Sequence, residues 1–365
     1  MIYMVMFAFS TFFAYMASRA KDKGGVIFFS VIAVMVPCIM GGIRAPGVGN
    51  DTGTYALPHF LYALNSPNFH SFILGSRRLS RELGWSLVTY VSTKTFHSLN
   101  VNFFIYQLLT IPFVYIGAYR QRKRVPFPFT MLIFFLVYYN QTYNFMRQCI
   151  ASSIIFMMLP ELENRKYIKF GVCVGIAAMF HTSALVAIFF FLGFHWANTA
   201  RIPKIFKNAM LYGGFLMVFL TKYIIFIVTR LVPFLSQYSG FERYVDTAGY
   251  ATSGMLFGSL LMFRLYRRGA ERLFKNGSMY RFYTYNLVFN LLYRFTVNIA
   301  SARILFYFSF VNVFLMASIP QLIHNKSMKM FYALCVVLVA LVYWYCVYIL
   351  KVELNGTWPY RSIIF

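Results

Sequence analysis

Residues 2–43 read IYMVMFAFSTFFAYMASRAKDKGGVIFFSVIAVMVPCIMGGI, which is two apolar runs divided by the basic cluster RAKDK at 19–23. Each run is long enough to cross the hydrocarbon core of a bilayer as a helix. Similar runs recur to about residue 350, so no room is left for a separate water-soluble domain. The pattern predicts an all-α fold, a polytopic transmembrane helical bundle in which residues 1–365 form a single integral membrane domain.

The composition excludes a soluble protein. Of the 365 residues, 60% are hydrophobic and 21% are aromatic, whereas only 9 are acidic. A net charge of +25 would suggest nucleic acid as the partner of a soluble chain, but here most cations lie in short clusters between apolar runs. The lipid bilayer is therefore the predicted partner, and nucleic acid is not. The five cysteines form no Cys-x-x-Cys pair, so neither a metal site nor a disulfide framework is predicted.

The basic clusters fall in every second loop, which fixes the predicted topology. The positive-inside bias places these loops in the cytoplasm of a bacterial cell and both termini in the periplasm, with the chain in the inner membrane. Because spans 168–181 and 182–196 are short, we expect a hairpin with His181 at its tip, just below the outer surface. About twelve spans result, at roughly 2–18, 24–43, 100–119, 126–140, 146–160, 168–181, 182–196, 209–229, 252–266, 281–299, 303–320 and 330–350.

The longest periplasmic loop comprises residues 44–99. Near 82–96 its apolar residues, including Leu83, Leu87 and Val91, recur at helical spacing. This spacing predicts an amphipathic helix that lies in the membrane interface.

The positive-inside rule does not explain cations on the outer side, and three arginines there stand at the ends of predicted helices. Arg44, Arg147 and Arg303 stand at outward-facing helix ends, and His181 has the same depth. Together they would form a basic pocket at the level of the lipid headgroups. Guanidinium groups bind diphosphate oxygens in a bidentate manner and would stabilise a departing diphosphate, so neither a metal nor another cofactor is predicted.

Glycosyl transfer also requires an acceptor hydroxyl, which is usually helped by a general base. The candidates on the outer side are His181, Asp51 and Glu82, while Tyr55 and Gln148 are the candidate substrate-binding residues.

Each candidate has a structural alternative. The arginines could be interfacial anchors, and His181 could tie its hairpin through a neighbouring hydroxyl. Asp51 could shape a turn, and Glu82 could interact with the dipole of the helix that follows it.

Five ordered patches resemble EpsG-like and Wzy-type polysaccharide polymerases. These patches are Gly42-Ile43-Arg44 with Val48-Gly49-Asn50-Asp51-Thr52-Gly53-Thr54-Tyr55, then Glu82-Leu83-Gly84-Trp85, Phe145-Met146-Arg147-Gln148, Ala178-Met179-Phe180-His181-Thr182, and Ala302-Arg303-Ile304. A closing Asn355-Gly356-Thr357-Trp358-Pro359-Tyr360 is also similar. Trp85 departs from the pattern, since a smaller side chain is expected there.

The resemblance implies a GT-C-like membrane glycosyltransferase that joins repeat units at the periplasmic face. It implies undecaprenyl-diphosphate-linked oligosaccharides as both donor and acceptor, for O-antigen or capsular polysaccharide, and a chain-length regulator is a further candidate partner. It also assigns function to six residues, namely Arg44, Asp51, Glu82, Arg147, His181 and Arg303.

Two other functions fit the composition. An O-antigen ligase uses the same donor, but in such enzymes the resemblance places the large outer loop late in the chain, whereas here it is early. A transporter or flippase of lipid-linked oligosaccharides would distribute its cations through the membrane and would show repeated broken helices, which this sequence lacks.

Overall fold

The computed structural model describes residues 2–76, 80, 82–213, 216, 248–274, 278–294, 299–350 and 355–364. Within these ranges the chain is helical and contains no β-strand, although Arg44 and Ser362 form an isolated bridge. The all-α prediction is confirmed. The chain divides into two compact units, residues 1–185 with 336–365 and residues 186–335. That the whole chain is one membrane domain stays a prediction.

The helices of the first unit are α1 (Ile2–Arg19), α2 (Lys23–Gly42), α3 (Leu57–Asn65), α4 (Phe69–Ser76), α5 (Leu83–Phe96), α6 (Leu99–Leu108), α7 (Ile111–Arg120), α8 (Phe127–Phe134), α9 (Met146–Glu163) and α10 (Tyr167–Phe180). The second unit contains α11 (Ile188–Asn198), α12 (204–213), α13 (Ala248–Leu265), α14 (Arg267–Leu273), α15 (Ser278–Arg294), α16 (Ile299–Phe310) and α17 (Asn312–Ser318). Helix α18 (Lys326–Trp344) is shared between the units.

Several helices have the length and apolar character of membrane spans. In the described ranges five qualify, and they are Ile2–Arg19, Lys23–Gly42, Leu99–Arg120, Leu305–Leu322 and Lys326–Ile349. Three shorter apolar helices accompany them, at Tyr167–Phe180, Thr182–Asn198 and Ala251–Leu265. A membrane protein is therefore indicated, while the count of twelve spans and the GT-C architecture stay predictions.

The remaining predicted spans are shorter, more polar or outside the described ranges. The span predicted at 126–140 contains the eight residues of α8 followed by a π-helical turn, Phe135–Tyr139. Helix α9 has the necessary length but carries Arg147, Glu161 and Glu163. The span predicted at 209–229 lies mostly outside the described residues.

The loop that follows α2 is hydrogen-bonded to the C-terminal segment. The N–H of Ala45 donates to the carbonyl of Arg361 at 2.9 Å, and that of Gly49 donates to Gly356 at 2.8 Å. Gly49 has φ +95°, and a Cβ there would lie 2.9 Å from the carbonyl oxygen of Tyr143. Only glycine fits both conditions. The familial residues at both ends of the chain therefore meet in one place and fix the start of the outer loop.

Helix α5 coincides with the segment near 82–96 in which a helix is predicted. Its apolar residues Leu83, Leu87 and Val91 are 46–53% exposed, whereas Trp85 and Thr89 are buried against the protein. This is the reverse of a soluble amphipathic helix, which buries its apolar face. The exposed stripe suits a lipid-facing surface, and the interfacial position of α5 stays a prediction.

Candidate functional site

One carboxylate, that of Glu82, joins three segments of the first unit. Its Oε2 accepts a hydrogen bond from Arg147 Nη1 at 2.9 Å and another from Ser80 Oγ at 2.7 Å. Its Oε1 lies 3.1 Å from His181 Nδ1. Glu82 stands at the N-cap position of α5, yet its side chain makes no capping hydrogen bond. The carboxylate is thus directed at two basic side chains and not at the helix N–H groups.

The side chains of Glu82, Arg147 and His181 are largely shielded from solvent. The exposed fractions are 10% for Glu82, 19% for Arg147 and 14% for His181. Burial by itself raises the pKa of Glu82, but the hydrogen bond from His181, the charge of Arg147 and the hydrogen bond from Ser80 together outweigh it and hold the pKa well below its ordinary value. Glu82 is therefore an ionised carboxylate throughout the neutral range.

His181 sits where the sequence analysis expects a break in the helical pattern. Helix α10 ends at Phe180, and the backbone of His181 is extended at φ −156° and ψ 115°. Since a carboxylate can only accept, we assign the proton of the neutral imidazole to Nδ1, facing Glu82. The other ring nitrogen, Nε2, then carries a lone pair that can accept a proton.

Arg147 lies in the first turn of α9 and faces an aromatic ring as well as Glu82. Its guanidinium carbon is 5.2 Å from the centroid of Tyr55. Tyr55 lies on a π-helical turn, Thr52–Ala56, that leads into α3. Such turns are rare and occur often at functional sites. With Nη1 engaged by Glu82, the remaining donors of Arg147 can still bind an anion.

Arg44 is buried inside the protein, whereas an arginine at a helix end is expected to reach the level of the lipid headgroups. It is 0% exposed, and its guanidinium carbon is 4.1 Å from the ring centroid of Phe103 and 4.3 Å from that of Tyr143. Its Nη2 contacts the sulfur of Met146 at 3.4 Å, while Nε and Nη1 have no hydrogen-bond partner in the described part of the chain. Burial lowers the pKa of Arg44, and the neighbouring tyrosines oppose that effect.

The other predicted site residues are Asp51, Gln148 and Arg303. Asp51 is half-buried at the start of the π-helical turn, where its N–H faces Asn144 Oδ1 at 3.4 Å. Gln148 is buried beside Arg147, at 3% exposure. Arg303 lies in α16, but its side chain is outside the described residues. The structure therefore brings Glu82, Arg147, His181 and Tyr55 into direct contact, and the roles of all the site residues stay predictions.

A second histidine, His59, lies near the site but is not among the residues predicted from the sequence. It is 1% exposed, and its Nδ1 accepts a hydrogen bond from Trp85 Nε1 at 2.9 Å. Burial, assisted by the charge of Arg147 and opposed by that of Glu82, lowers the pKa of His59 to about 4. The sequence does contain two indications of this role of His59. His59 follows Tyr55 by one helical turn, and its partner Trp85 is the residue that departs from the family pattern.

Comparison with known proteins gives one match. The profile of the EpsG family matches residues 27–362, which is most of the chain. No curated protein and no solved structure matches.

Proposed function

Because this chain belongs to the EpsG family, which is associated with Wzy-type polymerases, we propose that it is an oligosaccharide repeat-unit polymerase. In this proposal it joins undecaprenyl-diphosphate-linked units into O-antigen or capsular polysaccharide at the periplasmic face of the inner membrane. Both donor and acceptor are lipid-linked, and the chemistry requires no metal.

The observation that carries the proposal is the contact of Glu82 with both Arg147 and His181. An arginine that binds the leaving diphosphate and a histidine that receives the acceptor proton are the two groups that glycosyl transfer from a diphosphate requires. A single carboxylate holds both in position through hydrogen bonds of 2.9 Å and 3.1 Å. Preorganisation of this kind removes the need to reorient either group during the reaction.

The proposed step is a displacement at the anomeric carbon of the donor. The acceptor hydroxyl oxygen forms a bond to that carbon while its proton passes to Nε2 of His181. The bond between the anomeric carbon and the diphosphate oxygen breaks, and its electron pair leaves with the undecaprenyl diphosphate. Arg147 stabilises the added negative charge on the diphosphate, and Glu82 stabilises the imidazolium that forms.

The other predicted residues support this step. Arg44 contributes positive charge near the site, since Met146, which contacts its guanidinium, directly precedes Arg147. We assign Arg303 to the donor diphosphate, Tyr55 and Gln148 to the substrate sugars, and Asp51 to the acceptor side as the alternative base. The half-buried ring of Tyr55 can stack on a sugar while it faces Arg147.

The test is deletion of the gene in its source organism, with electrophoresis of the surface polysaccharide beside a complemented strain. A polymerase defect leaves lipid core that carries a single repeat unit, because units are still made, translocated and ligated. Loss of every repeat unit from the core would contradict the proposal and would indicate a ligase or a flippase.

A further inference from the structure

The second unit contains a cavity with many cations and little compensating negative charge. Its volume is about 350 Å³, within the usual range for small-ligand sites. The charged residues in its lining are Lys204, Lys207, Arg264, Arg267, Arg281 and Glu271. They come from helices α12, α13, α14 and α15. All the cations belong to two basic stretches of the sequence, 201–207 and 264–281. The positive-inside bias predicts a cytoplasmic position for both.

Within the residues that the structure describes, most of this charge is not neutralised. Glu271 is paired with Arg267, whose Nε lies 2.8 Å from Oε1 of the carboxylate. Among the described residues Lys204 and Arg264 have no carboxylate partner, and Arg281 donates only to the neutral amide of Asn198, at 3.0 Å. Converging like charges repel each other, and a bound anion would relieve that repulsion.

Two buried groups show that the cavity is more than a surface patch. Lys207 is 7% exposed, and its ammonium donates to the carbonyls of Ala197 and Thr199 at 3.1 and 2.7 Å. Two of its three donors are thus fixed, and the third remains. Thr284 is 6% exposed and lines the cavity, and its Oγ1 has no hydrogen-bond partner in the part of the chain that the structure describes. A buried hydroxyl is normally satisfied, so this one is available to a ligand.

Topology alone does not require this arrangement. The positive-inside bias needs cations in cytoplasmic loops, but it does not need them to converge on a cavity beside an unsatisfied hydroxyl. Arginine forks together with an ammonium and a hydroxyl are the groups that recognise phosphate oxygens. From this convergence we propose that the cavity binds a phosphate-bearing group, a phosphomonoester or a diphosphate. This proposal does not depend on the polymerase activity.

The experiment measures binding of inorganic pyrophosphate to the full-length protein in nanodiscs of zwitterionic phosphatidylcholine. The test variant is the double substitution Lys204→Gln with Arg264→Gln, which removes two cations that have no carboxylate partner among the described residues. The matched control is Arg268→Gln with Arg272→Gln, two exposed cations of α14 that do not line the cavity. We expect saturable binding to the wild type, a loss of about tenfold or more in the test variant, and a change within about twofold in the control.

A third variant tests the inside of the cavity. Thr284→Val keeps the shape and removes a hydroxyl that has no partner, so folding should be unaffected. We expect pyrophosphate to bind about threefold more weakly to this variant. An unchanged affinity in Thr284→Val together with equal losses in the two arginine-containing double variants would overturn the proposal, since binding would then follow net charge alone.

A lipid arm distinguishes the source of the phosphate. If pyrophosphate does not bind, the proteins are reconstituted with phosphatidic acid, purified in detergent and assayed for retained lipid. Retention of phosphatidic acid by the wild type and the control, but not by the test variant, supports the proposal with a lipid headgroup as the ligand. Failure to bind either probe overturns it.

Discussion

The two ends of α9 carry the same chemistry in different arrangements. At its start, Arg147 pairs with Glu82 at 2.9 Å, with side chains 19% and 10% exposed. At its end, Glu163 pairs with Arg124 at 2.7 Å, with exposures of 11% and 20%. The second pair is a closed bidentate contact in which both carboxylate oxygens meet one guanidinium. The carboxylate of Glu82 is shared between Arg147 and His181, and each of these side chains uses only one nitrogen for it. Their other nitrogens can therefore interact with a ligand.

Burial and ion pairing do not by themselves identify a functional pair. Arg124 and Glu163 form a bidentate pair that joins the chain before α8 to the end of α9, and the ion pair of Arg120 with Glu161 joins the same segments. Glu82 instead orients Arg147 and His181, both of which can still interact with a ligand. Substitutions at the two ends therefore separate stabilisation of the fold from chemistry.

The largest expected effect is that of Arg147→Ala. Removing the guanidinium to which we assign stabilisation of the leaving diphosphate should lower polymerisation about 10³–10⁵-fold, the range seen for arginines that stabilise transferring phosphates. In cells the polysaccharide ladder should collapse to a single repeat unit while the protein still inserts. The matched control is Arg124→Ala, which breaks an equally buried pair and should leave the ladder intact. An identical loss of polymer in both variants would remove the distinction between the two ends.

His181→Gln should have the next largest effect, a loss of about 10³-fold that is typical of a general base. Gln keeps a polar side chain near Glu82 but cannot take the acceptor proton. The measurement is the polymerisation rate of purified protein as a function of pH, beside Asp51→Asn. We expect the pH dependence of the wild type to persist in Asp51→Asn and to vanish in His181→Gln. The opposite result would make Asp51 the base.

Glu82→Gln should lower the rate about 100-fold, because the amide can no longer hold Arg147 and His181 together or stabilise the imidazolium. It should also lower the free energy of unfolding by about 2 kcal/mol, the scale of a hydrogen bond to a charged group. Glu163→Gln should cost similar stability with a normal rate, which thermal unfolding and rate assays on the same samples would check. A normal rate in Glu82→Gln would exclude the orienting role.

The smallest expected effect concerns His59 and the dependence of stability on pH. Its pKa in the folded protein is about 4, below the ordinary value of 6.5, so the unfolded chain binds the proton first as the pH falls. Stability should therefore decrease from about pH 6.5 toward 4, by on the order of 3 kcal/mol at most. The lowered pKa of Glu82 acts in the same direction but contributes mainly below about pH 5, near the ordinary pKa of a glutamate. His59→Leu should flatten the decrease in melting temperature between pH 6.5 and 5, whereas an unchanged slope would contradict the assignment.

The sequence predicts the helices and the members of the site for one reason, the scarcity of charge. With 9 acidic residues in 365, a carboxylate such as Glu82 in a loop predicted to be periplasmic stands out, and an arginine such as Arg147 at a predicted periplasmic helix end departs from the positive-inside pattern. The break at His181 is likewise visible because two short apolar runs meet there. These features are local, so one sequence is enough to find them.

What the sequence does not predict is long-range pairing. Glu82 lies 65 residues from Arg147 and 99 residues from His181, and no local pattern states that one carboxylate contacts both. Arg44 is buried between aromatic rings, although arginines at helix ends usually extend toward the headgroups. His59 lies in an apolar and aromatic segment, where its role depends on the distant indole of Trp85.

The most direct test of the central claim uses purified protein in nanodiscs with undecaprenyl-diphosphate-linked repeat units. The quantities measured are polymer length and released undecaprenyl diphosphate, for the wild type, Arg147→Ala and Arg124→Ala. The account predicts one undecaprenyl diphosphate released per new glycosidic bond in the wild type and in Arg124→Ala, and none in Arg147→Ala. Equal release from Arg147→Ala and the wild type would contradict it.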